Sequence, residues 1–141
     1  MDVAEVAAAW DLAPHPEGGY YRETYRSPLP VEPPGWPGRR ALATAILYLL
    51  GPGERSVRHR VRGDELWLWQ GGAPMELAVA GRTCLLGPDP ATGHELQVLV
   101  PAGAWQSATP ASGHHPGWSL AACVVAPGFD FADFELDPGG D

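Results

Sequence analysis

Short apolar and mixed runs, each a few residues long and cut off by glycine or proline, make up most of this chain. Residues two apart share one face of an extended strand. Under that rule the sequence predicts strands over 55–61, 65–70, 75–80, 83–86, 95–100, 105–108 and 118–126. Turn signals separate them at Arg62-Gly63-Asp64, Gly71-Gly72, Ala80-Gly81, 87–93 and Pro101-Ala102-Gly103. Strands at this cadence are the mark of a β-sandwich or barrel. The stretch 42–50 is almost wholly apolar, which predicts a strand covered on both faces. Tyr20 to Tyr25 also has strand character, with Tyr20, Arg22 and Thr24 on one face and Tyr21, Glu23 and Tyr25 on the other. The start is different. Val3, Val6, Ala7 and Trp10 recur at helical spacing behind Asp2, a natural N-cap, and predict a short helix on the outside of the domain.

Breakers define the rest. Pro14 to Gly19 forms a loop whose Gly18-Gly19 pair permits a tight turn or a close backbone approach. Pro28 to Arg40 holds five prolines and two glycines around Trp36 and reads as a surface loop or flap. The tail carries Phe129, Phe131 and Phe134, expected to clamp the outside of the barrel, and 138–141 is expected to fray. One domain suits 141 residues: helix and loop over 1–19, barrel over 20–126, tail over 127–141.

Composition narrows the function. A net charge of −8 argues against nucleic acid, whose phosphates need a basic face. Arg58, Arg60 and Arg62 alternate on one strand face and read as solvated. No apolar run is long enough for a membrane span, and no signal-peptide pattern opens the chain. Cys84 and Cys123 lie inside apolar runs without metal-type spacing and read as buried free thiols, which together predict a cytoplasmic protein.

Candidate chemistry centres on residues 53–72. Val57, His59 and Val61 should point inward together while the arginines point out. A hairpin at Gly63-Asp64 is expected to return Glu65 beside His59. A carboxylate there would fix the imidazole tautomer and make an acid/base pair. Trp67 and Trp69 share the Glu65 face and supply an apolar wall. Arg22 offers a fork suited to carboxylate or phosphate. His15 and Glu17 are read as ties for their loop, and His94, His114 and His115 as surface residues.

The spacing Gly53, His59, Val61, Glu65, Gly72 resembles the first motif of the cupin superfamily, G-x5-H-x-H-x3-E-x6-G, with Val61 in place of the second histidine. Pro101-Ala102-Gly103-Ala104-Trp105-Gln106 resembles the second motif, with Gln106 in the histidine slot. A narrower likeness runs along nearly the whole chain. His15-Pro16-Glu17-Gly18-Gly19-Tyr20-Tyr21-Arg22-Glu23-Thr24-Tyr25-Arg26-Ser27, Asp64-Glu65-Leu66-Trp67 and Ala126-Pro127-Gly128-Phe129-Asp130-Phe131 resemble the DUF985 (cupin 5) family. Arg58 and Leu68 depart from it, standing where tryptophan and histidine are usual. The resemblance implies an all-β fold, a double-stranded β-helix (jelly-roll barrel) with the short N-terminal helix. It also implies a homodimer, with 20–26 as the pairing strand.

Two of the four usual metal positions are lost, so no cofactor is expected, and a weakly held divalent metal on His59, Glu65 and Gln106 is the alternative. The leading expectation is a metal-independent enzyme moving protons on a small polar, sugar-like or keto compound, as an epimerase, isomerase or dehydratase does. His59 would be the base, Glu65 its partner and Tyr48 a proton donor, with Arg22, Val61, Trp67, Trp69 and Gln106 against the substrate. A non-catalytic module that binds a small molecule is the other reading.

Overall fold

The computed structural model describes residues 1–137 and Gly139. Its elements are α1 (Val3–Ala9), β1 (Ala13–Pro14), β2 (Tyr20–Arg26), β3 (Pro30–Val31), β4 (Arg40–Ala41), β5 (Thr44–Leu50), β6 (Ser56–Arg60) and β7 (Asp64–Gly72). β8 (Met75–Val79), β9 (Arg82–Leu86), β10 (Gln97–Val100), β11 (Gln106–Pro110), β12 (Ser119–Ala126) and β13 (Glu135–Leu136) follow. Two antiparallel sheets carry the fold, β1-β2-β5-β12-β7-β10 and β13-β6-β11-β8-β9. They form a jelly-roll barrel. The expected ends of 138 and 140–141 lie outside the described residues.

Alternation builds the core. Tyr48 and Leu50 on β5, Trp67 on β7, Leu77 and Val79 on β8 and Ala121 and Cys123 on β12 point into one buried cluster. The neighbouring positions Leu49 and Leu120 point outward, where Val6 and Ala7 of α1 cover them. The helix starts as its sequence dictates. Asp2 accepts from the Glu5 amide at 2.9 Å and Glu5 reaches back to the Asp2 amide, closing a capping box. Among the described residues no helix is long and apolar enough to cross a membrane.

Four expectations need correction. Gly71-Gly72 is not a turn. Both residues continue β7, paired with Leu120 and Ser119, and a side chain at Gly72 would collide with the Trp118 carbonyl. The proline-rich segment is not wholly irregular, since Pro30 and Val31 pair with Ala41 and Arg40. More consequentially, β6 and β7 form no hairpin. They lie in opposite sheets, and the Gly63 corner carries the chain across the barrel. A turn signal specifies a change of direction, not whether the next strand pairs locally or switches sheets.

The tail is the fourth correction. It returns as β13 along the edge of β6, with Glu135 opposite Arg60 and Leu136 opposite His59. Asp137, Glu135 and Asp133 pair with Arg58, Arg60 and Arg62 at 3.1, 3.0 and 3.1 Å. Asp133 also takes a two-pronged contact from the buried Arg40, at 2.7 and 2.8 Å. Arg58 and Arg60 stack over the Trp105 ring, and Arg62 lies over Trp36. The arginine face is therefore covered by the chain's own tail. Phe134 is brought against His59, ring centroids 5.5 Å apart, so the phenylalanines wall the cavity rather than clamp the barrel's outside.

Candidate functional site

A cavity of about 590 Å³ opens between the sheets. Its buried floor is Glu17, Thr44, His59, Val61, Glu65, Cys123 and Val125. His15, Tyr21, Arg22 and Ile46 form part of the wall, Phe129, Phe131 and Phe134 another part, and Asp11, Glu23 and Arg26 stand exposed at the mouth. An apolar wall around a few convergent polar groups is the usual make-up of a small-molecule site.

The loop before β2 places Glu17. Gly18 and Gly19 adopt φ of +105° and +76°, and a Cβ on Gly18 would stand 2.3 Å from the Arg55 carbonyl oxygen. Only glycine permits that approach. The Glu17 carbonyl accepts from the Val57 amide at 2.8 Å, which docks the loop on β6. Tyr48 donates its O–H to the Gly18 carbonyl from beneath. Glu17 is thereby buried against two residues of β6. Ser56 Oγ donates to its Oε1 at 2.9 Å, and its Oε2 lies 3.1 Å from His59 Nε2.

Hydrogen bonds decide where the protons sit. His59 Nδ1 is 2.8 Å from the Val57 carbonyl, which can only accept, so Nδ1 carries a proton. Burial lowers His59 to about 4, against the upward pull of that carbonyl, leaving a neutral ring whose Nε2 accepts. Burial raises Glu17 to about 8; the Glu65 charge adds to the rise, and the Ser56 hydrogen bond opposes it. Both shifts favour the neutral pair, with the proton of the Oε2···Nε2 contact on Glu17.

Glu65 approaches from β7. Trp67 Nε1 can only donate, and it gives its proton to Gln106 Oε1 at 2.8 Å. That orients the Gln106 amide nitrogen toward Glu65 Oε1, also at 2.8 Å. Burial raises Glu65 to about 7, against the downward pull of hydrogen bonds from Gln106 and Cys123. The floor therefore contains an acid near 8 and a carboxyl poised near 7. Two carboxyls raised by burial in one cleft make a candidate acid/base site.

The sequence-derived residues divide accordingly. His59, Glu65, Val61 and Arg22 line the cavity; Tyr48, Trp67, Trp69 and Gln106 do not. Glu65 is not the carboxyl set against His59 Nε2, because the β6–β7 corner brings it in from the opposite sheet, where Gln106 engages it. Glu17 takes that place. Tyr48 is tied to Gly18, and burial followed by the Glu17 charge drives its O–H well above the ordinary value, so it is no ready proton donor. Trp67 and Gln106 form a relay behind Glu65, and Trp69 packs against the core. Glu17 had a signal in the paired glycines after it, but its destination depends on a contact 39 residues away.

The donors do not fit a divalent metal. Val61 supplies only methyl groups, the Gln106 oxygen is taken by Trp67, and His59 Nε2 is turned to Glu17. Among the described residues no three His, Cys, Asp or Glu side chains gather as a metal site, whereas first-row ions are held by several such donors.

Comparison with known proteins agrees with this architecture. Residues 4–137 match the model of the Cupin superfamily (DUF985). The chain belongs to that family. As a DUF985 cupin it is similar to YML079W of Saccharomyces cerevisiae, 32% identical over 94% of this chain and 73% of the yeast protein. Among solved structures, a hypothetical protein from Leishmania major is 32% identical with a TM-score of 0.88, covering 97% of this cupin and 88% of that chain. Protein SO0799 from Shewanella oneidensis is 34% identical with a TM-score of 0.81, covering 97% and 85%.

Proposed function

We propose that this cupin is an enzyme that moves a proton on a small polar molecule held in the barrel, in an epimerase-, isomerase- or dehydratase-like reaction without a metal. The observation that carries the reading is the pair of carboxyls on one cavity floor, Glu17 near 8 and Glu65 near 7. A base works best with a pKa near the working pH, and an acid must keep its proton there. Glu65 suits the first role. The Glu17–His59 pair suits the second, because the imidazole lone pair is already occupied by Glu17 and accepts a further proton only near 4.

Arg22 supports an acidic substrate. Its Nε donates to the Trp10 carbonyl at 3.1 Å, and no carboxylate pairs with it among the described residues. Arg26, the other guanidinium lining the cavity, is engaged by both oxygens of Glu23 at 2.8 and 2.9 Å. A carboxylate entering the mouth would meet the Arg22 fork.

A cell-metabolite extract incubated with the protein in D2O tests the reading. At least one compound should gain carbon-bound deuterium over a protein-free control, and Glu65→Gln should abolish the gain while the protein stays folded. If no compound gains deuterium, the enzyme reading fails and a binding role replaces it.

A further inference from the structure

We infer that His15 is a further catalytic residue, a neutral imidazole that donates its Nε2–H to a substrate carbonyl oxygen, and that the substrate is an oxo acid whose reacting C–H adjoins that carbonyl. The inference rests on the proton-transfer reading above and assigns a residue which that reading leaves unused.

The tautomer is fixed by the backbone. The Glu17 amide donates to His15 Nδ1 at 3.0 Å. An amide N–H cannot accept, so Nδ1 holds a lone pair and the proton of a neutral ring must sit on Nε2. His59 is held in the opposite tautomer by a carbonyl. Two histidines on one cavity are thus set by main-chain groups as one donor and one acceptor. Burial, then the proximity of His59, lowers His15 to about 4, which keeps the ring neutral at working pH.

Nε2 is available. It has no hydrogen-bond partner among the described residues, and it is not among their sealed, unpartnered polar atoms. His15 lines the cavity, and T-shaped contacts with Tyr21 and Tyr48, ring centroids 4.5 and 5.5 Å away, fix its plane. A donor held rigidly toward a space in which charge develops stabilises an enolate without reorganising at the moment of reaction. A neutral imidazole used as an electrophile beside a carboxylate base is an established arrangement for abstraction next to a carbonyl. Here Glu65 would take the proton from carbon, the C–H electron pair would become the enolate π bond, and the carbonyl oxygen would carry the charge against His15 Nε2–H. Return of a proton to carbon closes the cycle with no oxidant or reductant.

The probes are 2-oxopentanoate and pentanoate, which differ by one carbonyl oxygen. His15→Ser removes the donor, while its hydroxyl can still accept the Glu17 amide two residues on, and the His59 signal in a nitrogen-15 histidine spectrum checks that the floor is intact. The wild type should prefer 2-oxopentanoate at least tenfold, His15→Ser should lose that preference without weakening pentanoate, and the spectrum should show His15 protonated on Nε2. Equal binding of the two acids by the wild type, an unchanged preference in His15→Ser, or protonation on Nδ1 would overturn the assignment. Deuterium exchange at C3 of bound 2-oxopentanoate separates the two layers. Selectivity that depends on His15 without exchange upholds the donor and overturns the proton-transfer reading. Exchange that His15→Ser leaves untouched does the reverse.

Discussion

Glu17 and His59 respond to pH in opposite senses, and the protein's stability should show both. Glu17 moves from an ordinary 4.5 to about 8 on folding, so the stability it contributes is whole below 4.5 and is lost as pH climbs through 8. Glu65 adds a smaller loss that ends near 7. His15 and His59 move from 6.5 to about 4, and their contribution is lost as pH falls through that interval. Between 4.5 and 6.5 two histidines and two glutamates offset one another, so the melting temperature should hold level there and fall between 6.5 and 8. Glu17→Gln keeps an acceptor for Ser56 and a donor for His59 Nε2, imitating the protonated acid. Calorimetry should find the alkaline fall reduced in that variant; an identical fall in both proteins would mean that Glu17 is ionised in the folded state. His59 and Glu65 were legible from motif spacing. Glu17 was not, because burial of a carboxylate depends on which residues close over it.

Elements place those residues, and two of them can be tested directly. The loop before β2 depends on Gly18, where a side chain would need both a positive φ and room that the Arg55 carbonyl occupies. Gly18→Ala should cost at least ~2 kcal/mol in denaturant unfolding; a neutral result would show that the loop does not dock on β6 as described. The tail depends on Asp133, which joins Arg40 to Arg62. Asp133→Asn should speed amide exchange over residues 129–137 and leave β7 and β12 unchanged, and equal rates would remove Asp133 as the anchor. The helix cap and nearly every principal strand could be read from local pattern, because capping and alternation are local. The tail strand also had a signal: Arg58, Arg60 and Arg62 alternate, as do Asp133, Glu135 and Asp137, in antiparallel register. Taken alone, the arginines looked solvated. Their partners lie more than 70 residues on.

At the scale of the whole molecule, a cupin barrel brings three distant segments to one cavity: the loop at Glu17, the β6–β7 corner at His59 and Glu65, and the phenylalanine tail. The sheet that holds β2 ends unevenly. β1 covers only Tyr20 and Tyr21, and Arg22 to Arg26 meet no further strand among the described residues. An open edge of that kind invites a second copy, so light scattering at micromolar concentration should return a dimer, and a monomer would contradict pairing through β2. The barrel was legible from strand cadence and the paired motifs, whereas the acid/base division was not, since it arises only when both sheets close. Its most direct test is the pH profile of C3 deuterium exchange into 2-oxopentanoate by the intact protein. The account predicts a bell, rising near 7 as Glu65 ionises and falling near 8 as the Glu17–His59 pair loses its proton. A rate that keeps rising through pH 8, or no exchange at any pH, would contradict it.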